Sequence, residues 1–95
     1  MNKYIATLSN KSCDRPAAEL AVRHVDHLKK IYSEGKLFLC GQMKETGGAL
    51  QIILADTKQA AEETVKADPF ISEGFFTQYS ISELFEANEA NNYLL

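Results

Sequence analysis

The sequence predicts an α+β domain in the order β-α-β-β-α-β, and three observations carry that reading. Short apolar runs of strand length lie at Tyr4–Leu8, Lys36–Met43, Ala49–Leu54 and Phe75–Ile81. Two longer stretches, from Asp14 to about Glu34 and from Thr57 to about Ala67, carry helical spacing instead. The polar, glycine-bearing segment Lys44-Glu45-Thr46-Gly47-Gly48 joins the two middle strands as an antiparallel hairpin. Right-handed crossovers then place both helices on one face of a four-stranded antiparallel sheet, the ferredoxin-like split arrangement.

In the first strand Tyr4, Ala6 and Leu8 share one face, Ile5 and Thr7 the other, and polar Ser9 to Ser12 ends it. Asp14 before Arg15-Pro16 is the expected N-cap of the first helix, since proline is tolerated in the first helical turn. That helix ends near Ser33 or Glu34, with Gly35 at the position after the cap. Asp56 or Thr57 caps the second helix, whose inner face is small: Ala60, Ala61, Thr64 and Val65. Pro69 disfavours helical geometry at Asp68 and stops the helix there. Phe70 and Ile71 are expected to fold back on the core, and Gly74 to turn the chain into the last strand. Ser80 with Glu83 has capping-box spacing, so the chain is expected to turn helical from Ile81 to Ala90. The domain accordingly spans 1–81, with 82–95 a tail that is helical and docks on a partner subunit.

Each strand carries apolar residues on both faces: Phe38 and Cys40 against Leu37 and Leu39, Ala49 and Ile53 against Leu50, Ile52 and Leu54. Two helices cover one face only, and a bare apolar face is an association surface, so a homodimer is expected.

At 95 residues the chain is one domain. A net charge of −3, with ten Lys and Arg scattered among thirteen acids, argues against nucleic acid and anionic membrane as partners. No apolar run approaches the roughly 20 residues of a membrane span, and the N-terminal stretch reads as a strand, so a cytoplasmic location is expected. Cys13 and Cys40 lack CxxC spacing, and Cys40 reads as a small buried hydrophobe. No phosphate loop or nucleophile elbow is present, and no cofactor or metal is expected.

His24 and His27 lie one turn apart, on the same side of the first helix as Leu20, Leu28 and Ile31. Inward imidazoles need hydrogen-bonding partners, and Asp68 is the best candidate. A carboxylate on one ring nitrogen fixes the tautomer and leaves the other nitrogen free to move a proton. The blander alternative is a satisfied helix histidine at His27 and a turn-capping Asp68. His24 reads as a packed residue or a substrate contact, and Ser9 as a loop residue or a hydrogen-bonding ligand contact.

These residues bring a family with them. From Met1 to about Ile81 the chain resembles the YciI-like proteins, relatives of the muconolactone isomerases within the dimeric ferredoxin-like barrels. The resemblance rests on His27-Leu28, on Glu34-Gly35-Lys36-Leu37 running into Gly41, and on Ala67-Asp68-Pro69-Phe70 followed by Gly74. It implies a dimeric α+β barrel with a catalytic His–Asp pair, here His27 as base and Asp68 as its orienting partner. It further implies cofactor-free isomerisation or elimination, including dehydrochlorination, on a small organic acid or lactone. The alternative is a non-catalytic ligand-binding or assembly module of the same fold. The chain departs from the family where an arginine and a proline usually precede the histidine: it has His24 and Val25. Gln42 follows Gly41 where proline is usual. His24 is then the expected stand-in for the arginine as a substrate contact.

Overall fold

The ten-residue strand β1 (Asn2–Lys11) is the spine of the fold, and the computed structural model describes all of residues 1–95 around it. β1 is flanked on one side by β3 (Ala49–Ala55) and on the other by β4 (Phe76–Leu84), and β2 (Leu37–Gln42) closes the β3 edge. Every pairing is antiparallel, in the order β2-β3-β1-β4. Helices α1 (Ala18–Ser33) and α2 (Lys58–Lys66) are the two crossovers, which gives the ferredoxin-like α+β layout.

The core follows from strand alternation. Tyr4, Ala6 and Leu8 of β1 and Ile53 and Ala55 of β3 are buried under Ile31 of α1 and Ala61 and Val65 of α2. Ala61 and Val65 are wholly inaccessible, which the small inner face of α2 permits. Phe70, Phe75 and Phe76 close one end of this core as a cluster with ring centroids 4.8–5.9 Å apart.

Three local expectations are corrected. α1 begins at Ala18, not Asp14: Arg15, preceding proline, is biased away from helical geometry, and Ala17 is still extended at ψ 145°. Asp14 and Arg15 therefore stay in a loop. The C-terminus of α1 is as expected, with Gly35 at φ +75° and two reverse bonds, Gly35 N–H to the Tyr32 carbonyl and Lys36 N–H to that of Ile31.

In β2 a bulge between Leu37 and Leu39 breaks the simple alternation. Leu37 opposes Ile53 and Cys40 opposes Gln51 on the helix side, while exposed Phe38 and Leu39 are both set by Ile52. Cys40 is exposed and not a core residue.

The last strand does not turn helical at Ile81. The length of β1 offers partners beyond that point, Ile5 for Ser82 and Lys3 for Leu84, and the Ser80 hydroxyl pairs across the strands with Thr7 instead of capping a helix. Residues 82–84 thus belong to the sheet, and the tail reduces to a 3-10 turn at Glu89–Leu94 held by reciprocal bonds between Asn88 and Asn91.

Asp68 ends α2 as expected, in the extended geometry that precedes proline. It caps a separate short helix, α3 (Pro69–Ser72), with Pro69 in its first turn. No helix is long and apolar enough to cross a membrane.

Candidate functional site

The site is built on the chain reversal between α2 and α3. Asp68 sits at φ −64°, ψ 124°, the extended geometry that Pro69 favours, and its carboxylate accepts the Phe70 N–H at 2.9 Å. The same carboxylate is fully buried, and two side chains complete its shell. His24 Nδ1 lies 2.8 Å from Oδ1, and Gln51 Nε2 donates to Oδ2 at 2.9 Å.

The partner of Asp68 is therefore His24 and not His27. α1 rises about 1.5 Å per residue, so His24 lies one turn nearer the end of α1 where α3 crosses it. His27 lies one turn further on, beside Thr64 of α2 and above a different hollow that Lys30, Lys36 and Glu63 also line. Its Nε2 is buried without a hydrogen-bond partner. Burial is the main reason its pKa is lowered from 6.5; the Asp68 charge pulls upward, and His24 and Lys30 push it further down. His27 is accordingly neutral and apart from the Asp68 cluster.

Burial alone would raise the Asp68 pKa. The hydrogen bonds from His24, the Phe70 amide and Gln51 outweigh it, and the group is held below its ordinary value of 3.8. An ionised Asp68 accepts only, so His24 donates through Nδ1 and Nε2 is the nitrogen left free. The imidazole is also clamped flat on Phe70, ring centroids 3.8 Å apart and planes 4° from parallel. Its orientation is fixed from two directions.

His24 forms part of the wall of a cleft of about 440 Å³. Phe70, Phe75 and Phe76 supply an aromatic wall, Gln51 and Cys40 come from the sheet, and Lys11, Asp14 and Arg15 stand at the loop side. Lys11, which lines the cleft from the end of β1, follows Asn10 at φ +62°. Ser9 lies elsewhere: it lines a shallow polar hollow with Thr7, Thr77 and Ser80, and the His24 cleft does not include it. The two candidate substrate contacts, His24 and Ser9, thus line different hollows, because Ser9 continues the face of Ile5 and Thr7, opposite that of Leu8.

Gln51 escaped the sequence reading. Its signal was present: a polar side chain inside the run Leu50-Gln51-Ile52-Ile53, at a position whose alternation with Ile53 points inward. Cys40 was misplaced by the bulge in β2. Lys11 and Arg15 carry no signal beyond their charge.

The arrangement can do one kind of chemistry without further groups. It offers a rigid imidazole with one nitrogen fixed by a carboxylate and the other free, beside an aromatic-walled space large enough for a single ring.

Among solved structures, a 5-chloro-2-hydroxyhydroquinone dehydrochlorinase from Burkholderia phenoliruptrix AC1100, in complex with 2,5-dihydroxybenzoquinone, superposes with a TM-score of 0.61. The two are 20% identical over 93% of this chain and 97% of the other, a likeness of fold. No curated protein sequence matches the chain. The family model of the YCII-related domain matches residues 3–85, from the first strand through the end of β4. With that match over most of its length, the chain belongs to the YCII-related domain family.

Proposed function

We propose that this protein is a small enzyme that needs no cofactor and moves protons with His24 as general acid–base and Asp68 as its orienting partner. The observation that carries the reading is the 2.8 Å His24–Asp68 contact at the wall of the cleft. His24 Nε2 takes a proton from a C–H or O–H of the substrate, and Asp68 stabilises the imidazolium that forms. The released electron pair forms a new double bond. In an elimination a leaving anion such as chloride departs with its own bonding pair; in an isomerisation the proton returns at another carbon. The substrate class is a small organic acid, lactone or hydroxylated ring; the aromatic wall of this cleft supports a flat ring, the kind of molecule that the structural neighbour holds as 2,5-dihydroxybenzoquinone.

The test is turnover of a panel of chlorinated hydroxyquinols and unsaturated lactones by the native chain and by His24→Asn, Asp68→Asn and His27→Asn. Loss in the first two with retention in the third is expected. A His24→Asn variant that keeps its fold and its rate would sink the proposal and leave the pair structural.

The working unit is proposed to be a homodimer. Supporting it, the sheet face opposite the helices carries Ile5, Leu50, Ile52 and Leu54, with Phe38 and Leu39 more than half exposed beside them. A second copy of this sheet supplies a matching surface. The tail, with Phe85, Tyr93, Leu94 and Leu95 exposed, extends that contact onto the partner.

A further inference from the structure

The cleft has a charged mouth that the acid–base pair does not use. The protein is net acidic, yet Lys11 and Arg15 both line this cleft. The lysines and arginines that are paired, Lys3, Arg23 and Lys36, are held by Glu86, by Glu19 and Glu73, and by Glu34. Lys11 and Arg15 have no such partner. Lys11 is positioned by two features: its ammonium lies 5.9 Å from the centroid of Phe75, and the Gly47 turn leaves room for it, since a Cβ there would come within 2.8 Å of Nζ. Arg15 is kept in the loop by Pro16, which holds the start of α1 back to Ala18. Asp14 shares the mouth and offsets one of the two charges.

We infer that Lys11 and Arg15 are the specificity-determining pair of the cleft, holding an anionic oxygen of a flat ring whose face lies against the phenylalanine wall. This rests on the His24 cleft being the substrate site. The pair makes the distinction between a ring bearing a carboxylate or phenolate and the same ring made neutral. Its contribution is to binding and orientation, while His24 acts on the proton. Two cations on a surface of opposite net charge also draw an anion to the mouth, an effect that salt screens.

The experiment uses 2,5-dihydroxybenzoate and its neutral amide, 2,5-dihydroxybenzamide, titrated into the full chain and followed by calorimetry and amide NMR shifts. The native protein binds the acid about tenfold or more tightly than the amide, as expected for charge-assisted contacts. The preference falls as salt rises and disappears in the Lys11→Gln, Arg15→Gln double variant. His24→Asn keeps the preference, so a failure of the acid–base reading is distinguished from a failure of this one. Equal affinity for acid and amide, no binding of the acid, or a preference that survives in the double variant overturns the inference.

Discussion

Phe70 holds His24 to Asp68 twice over: its ring lies flat on the imidazole at 3.8 Å, and its backbone N–H donates to the carboxylate oxygen that His24 also contacts. One residue thereby sets both the plane of the ring and the charge that faces it. Pro69 starts α3 and so aims both groups, which is why the Asp-Pro-Phe sequence carries structure and site together.

The first prediction follows from that arrangement. His24→Asn removes the titratable nitrogen and lowers turnover by about 10²–10⁴, the usual contribution of a positioned acid–base. Asp68→Ala costs stability as well as rate, because it strands three donors and uncaps α3. Each buried donor left unpaired costs about 1–3 kcal/mol and the lost cap about 1 kcal/mol. Chemical denaturation beside single-turnover kinetics separates the two effects: His24→Asn is rate-impaired and near-native in stability, Asp68→Ala impaired in both.

Much of this was legible in the chain. The inward alternation of Tyr4, Ala6 and Leu8, the Gly35 stop and the Thr57 cap each rest on local chemistry that tertiary contacts then reinforce. Asp68 was legible because a proline follows it. Which histidine it meets was not. His24 and His27 share a stripe, and their difference is one helical turn measured against a crossing element, a quantity that helical periodicity does not contain. The resemblance pointed to His27, and the crossing of α1 and α3 decided for His24. The bulge that turns Cys40 into the cleft is likewise a matter of strand register, invisible in a run such as Leu37-Phe38-Leu39-Cys40.

A second prediction concerns pH. Beside exposed Glu73, which its hydrogen bond to Arg23 holds low, two groups set back from solvent have folded-state pKa values below their ordinary ones, His27 mainly through burial and Asp68 through hydrogen bonds that overcome burial. Where the folded pKa is depressed, the unfolded chain binds more protons, and stability rises with pH. The His27 contribution is complete above 6.5 and is lost as pH falls below that value through its folded pKa. The Asp68 contribution is complete above 3.8 and is lost below it in the same way. Tm measured from pH 8 downward should therefore fall in two stages. His27→Leu should remove the first stage and leave the second.

A third prediction tests the β2–β3 turn. At Gly48 a Cβ would lie 2.9 Å from the Leu8 carbonyl, a backbone atom that cannot swing aside. Gly48→Ala must push the turn away from β1 and should destabilise the fold by about 1–3 kcal/mol, the usual cost of overpacking. At Gly47 the atom met is the mobile end of Lys11, but φ is +75°, so Gly47→Ala is strained by backbone geometry instead. Urea midpoints for the two variants check both; a Gly48→Ala chain of native stability would contradict the close approach.

The last prediction concerns assembly. On the open face, pairing brings Ile5 beside Ile52, Thr7 beside Leu50 and Lys3 beside Leu54, a stripe that runs across the middle of the sheet. Phe38 and Leu39 widen it at the β2 edge, where the bulge sets both residues outward. Hydroxyls from Thr7 and Ser80 bond to each other within this face, so these two do not depend on water for a partner. A face of this kind gains about 25 cal/mol for each Å² of apolar surface removed from water, and a two-fold copy removes it from both chains at once. Light scattering should give twice the chain mass of 10.6 kDa at micromolar concentration. Ile52→Lys places a charge at the centre of the stripe without entering the helix-side core, and should yield a folded monomer. Deleting residues 88–95 should weaken the dimer without abolishing it, because the tail adds to a contact that the sheet already makes. A native chain that stays monomeric would remove the sheet-to-sheet proposal, and a truncated chain of undiminished affinity would remove the tail from it.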